Sequence, residues 1–166
     1  SVNSEHNDGN SKYQMGLMLS DGDKKNASEA VPLLNSAAEG GHLASAIHLL
    51  NLYGLDLADE PVLENAIKSI DDIVKKGNSW AANVAGNLYA SGNIVQTDGS
   101  KAVEYLMMAA VSGIPAAMHK LGEMYRDGTV VEQNFEESIK WFEEGMRAGN
   151  MLSAVSLINM YGAGTA

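Results

Sequence analysis

Between Ala116 and Gly149 the apolar side chains recur at helical spacing in two runs separated by a polar stretch. The first run puts Ala117, Leu121, Gly122 and Tyr125 on one face, as an amphipathic helix requires. The second opens on Asn134, with Glu137 three residues later. That is a capping-box pattern, in which the Asn side chain and the Glu satisfy the first turn of a helix. The run continues through Ser138, Ile139, Trp141, Phe142 and Met146 and closes at Gly149. A leading helix, a turn and an antiparallel trailing helix are predicted. Runs of β-branched residues with period two are absent, so no sheet is expected.

The same hairpin recurs with a period of 36 residues. Gly41, Gly77, Gly113 and Gly149 close the trailing helices, and Ala30, Ala66, Ala102 and Ser138 open them. Tyr53, Tyr89, Tyr125 and Tyr161 mark the leading helices, as do Gly86 and Gly122. The first copy has a loop two residues shorter. A fixed period in this range means a stack of supersecondary units, each burying its neighbour's apolar face.

Residues 1–10 are polar and are expected to form a flexible N-terminal tail. Residues 11–166 are expected to form the repeat array, with repeats at about 11–41, 42–77, 78–113 and 114–149 and a partial one at 150–166. The first leading helix is expected from about Ser11 to Ser20. Its partner is expected from Asn26, with Glu29 as capping mate, to Gly40-Gly41. Pro32 should kink or delay that helix, because it removes a backbone hydrogen bond. Later pairs are predicted at Leu43–Tyr53 with Glu60–Lys76, Ser79–Ala90 with Asp98–Ser112, and Pro115–Arg126 with Asn134–Ala148. A final leading helix, Met151 to about Tyr161, has no partner. It caps the array, continues into a longer chain or packs on another molecule, and self-association through it is one alternative. Because the chain starts at Ser1 without Met, a mature form or an excised fragment is expected.

Repeated glycines inside helices need a packing reason, since each costs roughly 1 kcal/mol against Ala. Gly86 and Gly122 are expected where the trailing helix crosses close. The tyrosine rings are expected between layers, each hydroxyl reaching a polar group.

The net charge is −10, from 21 acidic and 11 basic residues. Nucleic acid is therefore not an expected ligand, because phosphate binding needs clustered Lys and Arg. An acidic surface favours solubility, or a basic partner. With no cysteine, thiol catalysis, zinc–thiolate sites and disulfides are excluded. The longest apolar stretch, Tyr105 to Met118, is too short to span a bilayer, which needs roughly 20 residues. No membrane insertion is expected. The compartment stays open, with an extracytoplasmic one favoured over the cytoplasm.

At Ala117, Leu121, Gly122, Tyr125 and Gly128 the sequence resembles the Sel-one-like repeat, a relative of the tetratricopeptide repeat. The likeness returns at Ala81, Gly86, Tyr89, Gly92, Asp98, Lys101, Ala102, Ala109, Ala110 and Gly113. It covers about Ser11 to Gly164. Leu50 and Ile158 depart from the crossing glycine, so wider layers are expected there, and Ile94 and Val130 replace a loop glycine. The resemblance implies an all-α, right-handed superhelical solenoid of antiparallel helix pairs, used as an adaptor in protein complexes and carrying no common enzyme activity.

By analogy with the tetratricopeptide repeat, the leading helices line a concave groove. One column of groove-facing residues is Leu17, Asn51, Asn87, Glu123 and Asn159. A second is Tyr13, Ile47, Asn83, His119 and Val155. A flanking column holds Ala44, Trp80, Ala116 and Leu152, and Arg126 joins at a helix end. Asn amides offer donors and an acceptor to an extended peptide backbone, with Trp80, Ile47 and Leu152 as apolar anchors. Equally, Asn tolerates a wet helix face.

No catalytic or metal constellation is found. His6, His42, His48 and His119 do not cluster. Asp21-Gly22-Asp23 hints at a calcium loop, but its twelfth position is Pro32 where a Glu is needed. The nucleophile-elbow, Walker and zinc-protease motifs are absent. No cofactor is expected. The leading expectation is a non-catalytic protein–protein interaction scaffold that binds a partner protein or peptide. The alternative is an inhibitor or immunity-type protein that neutralises one enzyme or toxin. An enzyme is the third reading.

Overall fold

The computed structural model describes residues 2–19 and 24–164, with side chains at 8–18 and 26–164. Ser20, the expected end of the first helix, and the Asp21-Gly22-Asp23 stretch lie outside the described residues, as does the His6 side chain. Among the described residues there are nine helices and no strand. They are α1 Val2–Leu19, α2 Lys24–Glu39, α3 Leu43–Gly54, α4 Glu60–Lys75, α5 Ser79–Ser91, α6 Gly99–Val111, α7 Pro115–Asp127, α8 Phe135–Arg147 and α9 Met151–Gly162. From α3 onward the expected boundaries agree to within a residue or two. The chain divides into two compact units, Ser1–Ala81 and Ala82–Ala166, with the division inside α5.

In the first unit α1 packs on α2, α2 on α3 and α4, and α3 on α4. Leu34, Leu49, Leu52, Ala66 and Ile70 are among its buried apolar residues. In the second unit α7 packs on α6, α8 and α9. Phe142, Leu157 and Met160 form one buried cluster there, with Ile139 against it.

Two expectations at the N-terminus need correction. The first helix begins at Val2, so residues 2–10 continue α1; Gly9 lies close to His42, the N-cap residue of α3. Helix α2 begins at Lys24, ahead of Asn26, and Pro32 lies inside it. Ala27 and Ala30 are fully buried, so helical register is held by packing before Pro32 is reached. Pro32 itself is exposed, and Asn26 has no capping role.

The trailing helices end alike. Gly41, Gly77, Gly113 and Gly149 have φ of 95°, 88°, 87° and 91°. Each donates its N–H to the carbonyl three residues back, and the next residue donates to the carbonyl five back. This is a Schellman motif, and a Cβ is disfavoured at such a φ. A Cβ at any of the four would meet nothing within 4 Å, so backbone conformation alone selects glycine there.

The crossing glycines are selected by contact. A Cβ on Gly16 would lie 2.7 Å from Leu34, one on Gly86 2.5 Å from Leu106 and one on Gly122 2.6 Å from Phe142. Leu34, Leu106 and Phe142 occupy the same place in their repeats. The second repeat departs: Leu50 stands at the crossing position and is buried. Ile158, also expected to widen a layer, is 70% exposed, because no trailing helix follows α9 among the described residues.

The Asn134 cap forms as a half box. Its Oδ1 accepts the Glu137 N–H at 3.1 Å. Its own N–H donates to the Tyr125 carbonyl at 2.8 Å, so the Glu137 carboxylate has no work there and pairs with Lys140 at 3.4 Å. Tyr89 and Tyr161 are placed differently from expectation, whereas the Tyr53 hydroxyl reaches a polar group as expected. Tyr89 stacks on Tyr105 of its own hairpin, with ring centroids 6.0 Å apart and Lys101 4.8 Å above it. Tyr53 donates its hydroxyl to Glu60 at 2.8 Å. Tyr161 is 57% exposed.

Candidate protein-binding surface

In the first unit, Tyr13 of α1 lies half-buried against His42, at the N-cap of α3, and His48 within α3. Its ring centroid is 4.9 Å from His42 and 6.4 Å, edge-on, from His48. Burial lowers the His48 pKa. Ile47 is half-buried and Asn51 exposed on the same helix, and Leu17 is half-buried on α1. Trp80, at the start of α5, is 58% exposed.

Asn83 and Asn87, further along α5, are half-buried. The Asn87 amide donates to the Asn83 carbonyl at 2.8 Å and to its Oδ1 at 3.3 Å. An expected pair of peptide-binding amides therefore bind each other in the free protein.

In the second unit the expected residues form a connected group. His119 of α7 packs on Phe142, with ring centroids 5.3 Å apart. Its Nδ1 shares a hydrogen bond with Ser153 Oγ of α9 at 3.1 Å, and its Nε2 is 3.5 Å from Glu123. Glu123 also pairs with Lys120 at 3.3 Å. Burial is the main cause of a lowered His119 pKa; Arg126 and Lys120 lower it further, and Glu123 opposes them. Arg126 lies 5.7 Å above the Phe142 ring and bonds Asp127 at 2.7 Å.

On α9, Leu152 and Val155 are 64% and 51% exposed, and Asn159 is exposed. Arg126 and Asn159 line one shallow groove of about 380 Å³, together with Phe135, Ser156 and Met160. The structure thus brings together His119, Glu123 and Arg126 on α7 and sets Arg126 beside Asn159 of α9.

Ser153, His119 and Glu123 follow one another as a hydroxyl, an imidazole and a carboxylate. Ser153 is fully buried, and its Oγ sits 2.5 Å from where a Cβ on Gly145 would be. A substrate cannot reach it, so the string is a packing device. The first unit holds a counterpart, His42 Nδ1 with buried Ser45 Oγ at 2.8 Å. Both serines fall where the other repeats carry Ala81 and Ala117. A hydroxyl in an alanine column was the signal in the sequence. Among the described residues no group of His, Asp and Glu is placed to hold a metal. No described helix is long and apolar enough to cross a membrane.

Stacked antiparallel helix pairs with Schellman ends and glycine crossings define an all-α solenoid of helical-hairpin repeats. The Sel1 repeat model matches residues 10–42, 81–112 and 115–150, more than half of the chain, and the chain belongs to the Sel1 repeat family. Residues between the first two matches carry Leu50 and the altered loop that follows it. A curated relative, the chitin synthase regulator SKT5 of Saccharomyces cerevisiae, is 30% identical over 126 residues. That match takes in 73% of this chain and 18% of the relative.

Among solved structures, a Sel1 repeat protein from Oxalobacter formigenes aligns with a TM-score of 0.65 at 24% identity, over 94% of this chain and 63% of that one. The protective antigen c5321 of uropathogenic Escherichia coli aligns at 0.67 and 23% identity, over 98% and 35%. Cysteine-rich protein B of Helicobacter pylori aligns at 0.57 and 19% identity, over 82% and 98%. These likenesses show the fold. Sel1 repeat proteins generally mediate protein–protein interactions.

Proposed function

We propose that this chain is a non-catalytic interaction scaffold whose leading helices bind a partner protein or peptide. The observation that carries the reading is the outward face of α9. Leu152 and Val155 are 64% and 51% exposed, beside the groove shared by Arg126 and Asn159. Large apolar side chains grouped on one exposed face mark interaction sites more than isolated ones do. Trp80 is a further exposed anchor of the kind enriched at binding hot spots.

The test is affinity capture by the parent chain and by Trp80→Ala and Asn87→Ala variants, with mass spectrometry. The parent retains a defined partner, and each variant retains less. Asn87→Ala weakens a peptide ligand by about 1 kcal/mol. Equal capture by all three removes the leading-helix face from the reading.

The net charge of −10 favours a second reading, an inhibitor or immunity-type protein that neutralises one basic enzyme or toxin. A relative named as a regulator of an enzyme is compatible with action by binding. One enzyme captured alone supports this reading, and several subunits of an assembly support the scaffold.

Self-association through α9 belongs to the same account. On α7 the crossing position, Gly122, is covered by Phe142 of α8. Its counterpart on α9, Ile158, offers the same register to a helix of a second copy.

A further inference from the structure

Two grooves lie away from the leading-helix face, at equivalent places in their repeats. In the first unit Val31 and Pro32 of α2 face Leu57, Ala58 and Val62 across a cavity of about 460 Å³. In the second unit Val103 of α6 faces Val130 and Val131 across about 640 Å³. Val31 corresponds to Val103 and Ala58 to Val130, two repeats on. Each groove is thus the seam between a trailing helix and the loop of the next hairpin.

The first seam has a mainly apolar floor, the second sets three valines among Thr97, Gly99 and Ser100, and both have an acidic rim. Asp56 and Asp59 flank the first, and Asp98 and Glu132 the second. Among the described residues none of these four carboxylates is in an ion pair. Asp59 and Asp98 also cap α4 and α6, accepting the N–H groups of Val62 and Lys101. No described Lys or Arg lines either seam, and the nearby Lys101 is held over the Tyr89 ring.

The walls are fixed in advance. Leu57 donates to the Leu52 carbonyl at 2.9 Å and Asn134 to the Tyr125 carbonyl at 2.8 Å. The Val130 carbonyl lies where Gly99 leaves room for it. Ordering a preformed site costs little on binding.

We infer that each seam docks a basic peptide segment, an aliphatic side chain meeting the seam's apolar residues while flanking Lys or Arg meets the rim carboxylates. The complementarity of an unpaired acidic rim to cationic residues selects this occupant. An acidic segment would be repelled.

The test is amide chemical-shift titration of the ¹⁵N-labelled chain at about 1 mM peptide. The probe is acetyl-Arg-Leu-Arg-Leu-Arg-amide, with acetyl-Glu-Leu-Glu-Leu-Glu-amide as control. The basic peptide shifts Val31, Ala58 and Val62 in one unit and Val103, Val130 and Val131 in the other; the acidic one does not. Asp56→Asn weakens binding at the first seam alone and Glu132→Gln at the second alone, each by roughly two- to threefold, as for a partly exposed charge pair. Equal shifts with the acidic peptide, or none with either, overturn the inference. Shifts confined to Asn51, Asn87 and Val155 overturn it too, while leaving the leading-helix reading standing.

Discussion

Gly122 and Phe142 approach so closely that a Cβ on the glycine would lie 2.6 Å from the ring. Phe142 is fully buried, so the ring has nowhere to retreat. Helix propensity favours valine over a helical glycine by less than about 1 kcal/mol. Overpacking of a filled core costs about 1–3 kcal/mol, and it wins here because the neighbour is a rigid ring. Gly122→Val therefore destabilises by about 1–3 kcal/mol in urea denaturation. Gly162→Ala is the control: nothing lies within 4 Å of a Cβ there. Its midpoint stays level or rises. A Gly122→Val midpoint equal to that of the parent would show that the helices do not cross as described.

Asp56 holds φ of 59° where the other loops carry Gly92, Gly128 and Gly164, with φ from 65° to 68°. Left-handed backbone costs an ordinary L-residue roughly 1–2 kcal/mol, and Asp tolerates it better than Ala. Asp56→Ala lowers stability by about 1 kcal/mol, whereas Asp56→Gly leaves it level or raises it. Calorimetry that ranks Ala equal to Gly at this position would contradict the loop geometry.

Acidification weakens the second unit at His119. Burial among Phe142, Ser153 and Glu123 depresses its pKa below the ordinary 6.5. The facing groups on α8 and α9 are uncharged, and Lys120 and Arg126 on α7 add to the depression against Glu123. As pH falls through 6.5 the unfolded chain takes up the proton first, so stability declines until the folded pKa is passed. His119→Gln flattens the fall of Tm as pH drops below about 7. An unchanged slope would place the pH dependence elsewhere, with His48 as the next group, since its pKa is also lowered.

Val155 and Ile158 are 51% and 70% exposed. Replacing both by Asp shifts stability by no more than about 0.5 kcal/mol per site, as is usual for surface positions. The same change abolishes dimerisation if α9 receives a second copy. Light scattering shows a dimer for the parent and a monomer for the variant. A parent that is monomeric at every concentration removes self-association through this helix.

The hairpin architecture was legible because one pattern is written several times. A single helical glycine is ambiguous, but Gly86 and Gly122 at one spacing, with Gly77, Gly113 and Gly149 at the same spacing, leave little else to fit. The start of α1 was not legible, since its polar first ten residues carry no apolar stripe. The start of α2 was misplaced because Asn26 and Pro32 are strong local signals that the buried Ala27 and Ala30 override. The tyrosines were placed between layers because a period reveals recurrence and not direction. At the candidate surface, residue positions were readable but their partners were not. The Asn83–Asn87 and His119–Ser153 hydrogen bonds depend on side-chain orientation, and Ser153 comes from another helix.

Amide hydrogen exchange on the complex with its captured partner tests the central claim most directly. New protection should appear on the leading helices α3, α5, α7 and α9, strongest near Asn51, Asn87, Arg126 and Asn159. Protection confined to the trailing helices α4, α6 and α8, with those four positions unchanged, would contradict it.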